Sequence, residues 1–282
     1  MTVCIAAACD ADKLILVTDH MLSLGFTSAE AGVKGMRLSD NWHLVFAADD
    51  TTLVTPIVRR IVQKIKDGSD AVSYEGISRI VATAYQDVRR TQVEDLYLSP
   101  YGLTIAEFRE KGYKFFKDYY LTLLNHIERF DAKCEFIISG FAPTPTRQAT
   151  IFRVVNPGVI EPAELMGYTA IGMGWINAIA HLTRKKQGMR TPLAESIYNV
   201  LSAKFLSEIA TGVGKETTVI VAGRGTTKLA FLEDTEIEEI RNLYGEEQQK
   251  AQAQNLEQQL QAIVKRCVSV LSPSPTEPAP PS

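Results

Sequence analysis

Apolar residues follow two different periods along this chain, and the places where the period changes locate its elements. Thr2–Cys9 and Leu14–Thr18 are short apolar runs around the turn residues Asp10-Ala11-Asp12, and Val33–Leu38 and His43–Ala48 flank Ser39-Asp40-Asn41 in the same way. Both pairs read as hairpins. Helical spacing takes over at Leu53, Ile57, Ile61 and Ile65, with Thr51 and Thr52 ahead of it as caps, and recurs at Ile77, Ile80, Val81, Ala84 and Val88. A third helix, dense in aromatics, is predicted over Ile105–Phe130. Strands are predicted at Cys134–Phe141, Ala149–Val155 and Tyr168–Gly172, then helices from about Trp175 to Lys186 and from about Leu193 to Ile209. A hairpin of Thr217–Ala222 and Lys228–Leu232 closes the series. Strands at both ends and in the middle, with helices in two separate groups, predict an α+β fold. Two stacked sheets lie between helical layers, a four-layer arrangement.

Beyond residue 233 the pattern changes. Ile237, Ile240 and Leu243, then Leu256, Leu260 and Ile263, form a helical stripe around a Glu/Gln/Lys-rich stretch, so residues 234–270 read as an amphipathic helical extension of the 1–233 domain. Residues 271–282 contain five prolines and no large apolar residue after Leu271, and are expected to be disordered. The 282 residues are 45% hydrophobic, enough for a sizeable core, and the net charge of −3 offers no basic stripe for nucleic acid. Without a targeting segment or an apolar run of membrane length, the expectation is a cytoplasmic protein with no membrane partner. Four cysteines and four histidines show no metal-ligand spacing, and no GxGxxG or Walker sequence is present, so no metal and no cofactor are expected.

The candidate chemistry begins at Thr2. Methionine is usually trimmed when the next residue is this small, and removal of Met1 would leave a hydroxyl and a free α-amine on one threonine, a nucleophile with its own base. Asp19 ends a strand buried on both faces and needs a cationic partner. Strand alternation puts Lys34 on the face of Met36 and Leu38, where an inward lysine needs an anion. An Asp19–Lys34 pair beneath the Thr2 hydroxyl answers both needs: the ammonium lowers the hydroxyl's pKa, while an α-amine with a pKa of about 7.7–8.0 carries the proton.

These segments, together with Val45-Phe46-Ala47-Ala48-Asp49-Asp50 leading into a helix, resemble a proteasome β-type subunit of the N-terminal nucleophile hydrolase superfamily. The nearest variety is the bacterial proteasome-related proteins whose threonine directly follows the start methionine. Thr2 and Lys34 keep the family spacing; Asp19 lies one residue further on, after a longer first turn. Thr169–Gly174 resembles the family's glycine-containing loop, and Ser207–Gly212 its acidic supporting motif. The resemblance implies catalytic Thr2, Asp19 and Lys34, an oxyanion donor at the Ala48 N–H, and Glu208, Thr211 and Met173 as the supporting shell. It also implies a substrate pocket walled by Met36, Phe46 and Val54. Two departures stand out: Ala48 replaces a glycine, and Met173 replaces a serine that orders the amine. The implied activity is that of a threonine endopeptidase acting on peptides or unfolded proteins in a homo-oligomeric ring, with an ATP-dependent unfoldase as partner. Each residue also has a plainer use. Thr2 can simply begin a strand, Asp19 and Lys34 can be a structural ion pair, and Met36, Phe46 and Val54 can be core. Cys4 packs as a small hydrophobe. The corresponding alternatives for the whole protein are an inactive scaffold or binding subunit and a small-molecule amidase.

Overall fold

The computed structural model describes residues 2–24, 27–30, 34–68, 73–142, 149–225 and 228–249. It divides into a unit spanning Met1–Ile237 and a second spanning Glu238–Ser282. The first holds two five-stranded antiparallel sheets and six α-helices among the described residues, an α+β fold.

The first sheet is ordered β10-β1-β2-β11-β12: Tyr168–Gly172, Val3–Cys9, Lys13–Asp19, Thr217–Gly223 and Leu229–Phe231. β1 lies between two neighbours and is buried along its whole length, which its apolar sequence allows. The connection from β1 to β2 has only three residues, with Asp10 and Ala11 at positive φ, and it sets a register pairing Cys4 with Thr18. The second sheet is ordered β5-β6-β7-β8-β9: Gly35–Arg37, Trp42–Ala48, Cys134–Phe141, Ala149–Val155 and Val159–Pro162. A separate hairpin joins β3, Met21–Leu24, to β4, Thr27–Glu30. Neither this hairpin nor β9 is predicted by the sequence pattern; both are four-residue strands, too short for a period to register.

Alternation sorts the strand side chains into two cores. Cys4, Ala6, Leu14 and Leu16 of the first sheet meet Val45, Ala47, Ile137 and Ile151 of the second. On the opposite face of the second sheet, Trp42, Leu44, Phe136 and Phe152 receive Val54, Ile57 and Ile61 of α1 (Val54–Asp67) and Ile77, Val81 and Tyr85 of α2 (Tyr74–Val93). Ser73 caps α2 by accepting the Gly76 N–H. α5 (Trp175–Arg184) packs on α6 (Leu193–Ser207), and α6 runs against β1 and β2.

The third predicted helix is two. α3 covers Ile105–Phe116, a 3₁₀ turn covers Lys117–Tyr119, and α4 covers Tyr120–Arg129. Lys117 takes a φ of 47° at the break, which lets the Tyr120 ring stack on Phe108 at 4.9 Å beside Gly112. The aromatics of 105–130 are too many for one helical stripe, and folding the chain back packs Phe116, Tyr120 and Phe130 around buried Phe108, while Tyr113, Phe115 and Tyr119 stay exposed. Residues 234–249 are helical. The rest of the predicted stripe, the Pro-rich tail and Met1 lie outside the described residues. No helix among the described residues is long and apolar enough to cross a membrane.

Candidate functional site

Thr2 sits where the ends of the two sheets meet. It precedes β1, whose pairing with β10 sets Val3 opposite Gly172, and the β1–β2 register brings Asp19 to the same end. Gly172 has a φ of +83°, and a Cβ on it would lie 2.3 Å from the Thr2 carbonyl oxygen, so only glycine permits this approach. Lys34 arrives from the other sheet, just ahead of β5, held by its carbonyl accepting the Phe46 N–H at 3.1 Å.

All three side chains are buried: Thr2 is 2% exposed, Asp19 0% and Lys34 2%. Lys34 Nζ donates to Asp19 Oδ1 at 2.6 Å and to Thr2 Oγ1, and the Thr2 hydroxyl donates to Asp19 Oδ1. Gly214 N–H donates to Asp19 Oδ2 at 2.8 Å. Burial pushes the Asp19 carboxyl above its ordinary value, against the Lys34 ammonium and the Gly214 amide, which favour its charge. A threonine hydroxyl in contact with an ammonium and a carboxylate is polarised toward alkoxide, since the cation stabilises the anion that proton loss creates. Cys4, next along β1, is a poor competitor: burial pushes its thiol far up, and its Sγ contacts the Phe46 carbonyl at 3.1 Å.

A cavity of about 600 Å³ opens beside Thr2. Ala47, Ala48 and Gly172 line it near the hydroxyl, Met173, Trp175 and Ile176 form an apolar wall, and Asp49, Asp131, Lys133 and Glu135 supply charge. Ala48 ends β6. The Asp49 N–H donates to Lys133 of the β7 side, whereas Phe46 donates toward Lys34, so alternation turns the Ala48 N–H to the edge that faces Lys34. Met173 lies on the cavity wall and is 54% exposed. It brings no hydroxyl to the site.

Other residues singled out in the sequence lie elsewhere. Val54 is buried in the core under α1, Phe46 packs against that same core, and Met36 is 37% exposed on β5. The described cavity is not walled by them, because Phe46 points to the helical face of β6 while Ala47 points between the sheets. Glu208 follows α6 and accepts from Lys204; Thr211 is exposed. The residue beyond them that reaches the site is Gly214. His20, beside Asp19, turns to Glu216 at 3.2 Å and Thr218 at 2.5 Å.

Sequence reasoning missed Gly214, Glu135 and Lys204. Gly214 acts through its backbone, which carries no sequence signal. Glu135 alternates with Ile137 onto the face between the sheets, and Gly172 N–H donates to it at 3.2 Å. Lys204 had a signal: it interrupts an apolar helix between Ala203 and Phe205. Among the described residues, no group of three His, Cys, Asp or Glu could hold a metal ion.

An Anbu mutant from Hyphomicrobium sp. strain MC1 matches with a TM-score of 0.65 at 14% identity, over 91% of this chain and 99% of that one. The chain shares the Anbu fold. Anbu from Yersinia bercovieri, described as an ancestral β-subunit, matches with a TM-score of 0.66 at 14% identity, over 90% of this chain and 98% of that one. No protein-family model and no curated protein matches. The expectation of a proteasome β-type subunit is corrected accordingly: these structural neighbours are Anbu, a distinct ancestral β-subunit. The motifs behind that expectation are short, and short motifs determine which residues meet rather than which family carries them.

Proposed function

We propose that this protein hydrolyses peptide bonds with Thr2 as an N-terminal nucleophile, carried on a four-layer αββα sandwich of the N-terminal nucleophile type. The observation that carries the proposal is the Thr2 hydroxyl held between the Lys34 ammonium and the Asp19 carboxylate at the edge of a 600 Å³ cavity. In this mechanism Met1 is first removed. The freed α-amine takes the hydroxyl proton as Oγ1 attacks the scissile carbonyl carbon, and the Lys34 charge stabilises the developing alkoxide. The Ala48 N–H receives the oxyanion. Collapse of the tetrahedral intermediate breaks the C–N bond, with the α-ammonium protonating the leaving amine. Water, deprotonated by the same amine, then hydrolyses the ester and regenerates Thr2.

The catalytic domain in this proposal is residues 1–233, with 234–270 as a helical extension and 271–282 as a tail. The Anbu neighbour's description as a β-subunit supports assembly of copies into a homo-oligomer around the sites. In this reading the assembly works in the cytoplasm and an ATP-dependent partner feeds it unfolded chains.

Intact mass before and after exposure to a peptide epoxyketone, which needs both the hydroxyl and the free amine, tests the chemistry. The expected result is a chain lacking Met1 that gains one adduct, with no adduct in Thr2→Ala. A retained Met1 would exclude the amine as base. A trimmed chain with neither adduct nor peptide turnover would make the protein a scaffold, and turnover confined to small amides would make it an amidase.

A further inference from the structure

The last two turns of α6 are buried apart from Leu206: Val200, Leu201, Ala203 and Phe205 flank Lys204 along the helix, and Lys204 has no exposed surface. An ammonium is stable there only if its donors are satisfied and its charge is balanced. Lys204 Nζ donates to the Gly214 carbonyl at 3.0 Å, to the Lys215 carbonyl at 2.7 Å and to the Glu208 carboxylate one turn further on. Gly214 and Lys215 belong to the connection between α6 and β11. The same Gly214 donates its N–H to Asp19 Oδ2. One glycine is therefore held at its carbonyl by Lys204 while its amide holds the carboxylate of the Thr2 site.

We propose that Lys204 is a positioning residue for that site: it clamps the Gly214–Lys215 backbone so that the Gly214 N–H stays aimed at Asp19, whose carboxylate in turn orients Lys34 and the Thr2 hydroxyl. The clamp stands on geometry; its effect on turnover rests on the proposed Thr2 chemistry. Stability is a weak reason for the lysine, because desolvating an ion pair roughly cancels its attraction and an apolar side chain would suit α6 as well. Backbone aim is a better one. The two carbonyls flank residue 215, so the ammonium fixes the peptide plane that leaves Gly214; with that plane held on one side and the bond to Asp19 on the other, the wide φ and ψ freedom of the glycine between them is curtailed. The Lys204 charge also favours ionised Asp19 against the burial that opposes it. Glu208, assigned by resemblance to the supporting shell, thus reaches the site through Lys204.

The test uses the full chain labelled with ¹⁵N-glycine. The Gly214 amide resonance, identified by its loss in Gly214→Ala, is followed from pH 4 to 9. In the wild type it should follow Asp19 ionisation, and the inflection should vanish in Asp19→Asn. In Lys204→Met the inflection should rise by about one pH unit or more. At neutral pH, kcat on a peptide substrate should fall about tenfold or more with KM changed less than about twofold, and recover partly as pH rises. Lys204→Gln, which still offers N–H donors to the carbonyls, should lose less, and it carries the comparison if the Met variant does not fold. A Gly214 amide in the wild type that ignores Asp19→Asn would overturn the proposal, as would a Lys204 variant with the wild-type inflection and kcat. If the wild type turns over no peptide, the Thr2 chemistry fails, and the amide titration still decides the clamp.

Discussion

Replacing Gly172 with alanine would put a methyl group where the Thr2 carbonyl already lies. The added Cβ would sit 2.3 Å from the Thr2 oxygen and 3.0 Å from its carbonyl carbon and Cγ2, where ordinary contact starts at 3.4 Å. The backbone must therefore open by about 1 Å, because the obstacle is a peptide group that cannot rotate aside. The φ of +83° adds about 1–2 kcal/mol for a side chain in the left-handed region, and overpacking about 1–3 kcal/mol more. Together these lower the melting temperature by roughly 4–20 °C for a unit of this size. Because Thr2 is what must move, activity suffers beyond stability: a displacement of about 1 Å at the reacting atom costs on the order of 100-fold in rate. Thermal denaturation and kcat/KM on a peptide substrate, measured below the variant's unfolding transition, read the two effects. Gly188→Ala is the control, since a Cβ there meets nothing within 4 Å. A Gly172→Ala protein that melts with the wild type and keeps its rate would refute the argument that glycine is required for Thr2 to approach β10.

Lys34→Met leaves Asp19 buried without its cation, which should cost about 3–5 kcal/mol at neutral pH by urea denaturation and abolish epoxyketone labelling; a smaller loss in acid, where the carboxyl is protonated, would confirm the cause. Asp19 also makes a signed prediction for pH. Burial raises its folded-state pKa above the unfolded value of 3.8, so the native state binds the proton more tightly and this group's contribution is full below 3.8 and lost as pH rises through the folded value. Wild type minus Asp19→Asn stability should therefore fall as pH rises from 4, and a difference independent of pH would show that Asp19 is not shifted upward. Among the described residues, the cavity sets Asp49, Asp131 and Glu135 against Lys133, so peptides with lysine or arginine flanking the scissile bond should exceed aspartate or glutamate counterparts about tenfold in kcat/KM. Glu135→Gln should shrink that ratio; equal rates across the panel would mean that the rim does not touch substrate.

Apolar patterning was a good guide wherever burial is continuous along a strand or recurs along one helix face, and failed where local chemistry competes. β1, β2, β7 and β8 stand out because Val, Ile, Ala and Phe runs suit strands covered on both faces, and α1 and α2 because their apolar positions recur at helical spacing. The break at Lys117 was not visible, because it serves the stacking of Tyr120 on Phe108, a contact between two positions of what reads as one helix. Met36, Phe46 and Val54 fit a pocket wall and a core equally well as sequence, and only the direction each side chain takes from its element separates the two.

The sequence by itself determined that Asp19 and Lys34 each need a partner of opposite charge. A carboxylate at the end of a buried strand and a lysine on an inward face are each too costly alone, and pairing them answers both costs. The place of Thr2 at the head of the first strand, and its family spacing to Lys34, pointed to its hydroxyl as the one beside them. Only the tertiary structure decided what surrounds that cluster. Gly172 is required by an approach between two chain segments 170 residues apart, Gly214 acts through its own amide, and the Lys204 side chain acts on backbone carbonyls. Backbone amides and carbonyls are the same at every residue, so which of them faces Asp19 follows from how the connection after α6 is packed, and that packing is a property of the folded chain.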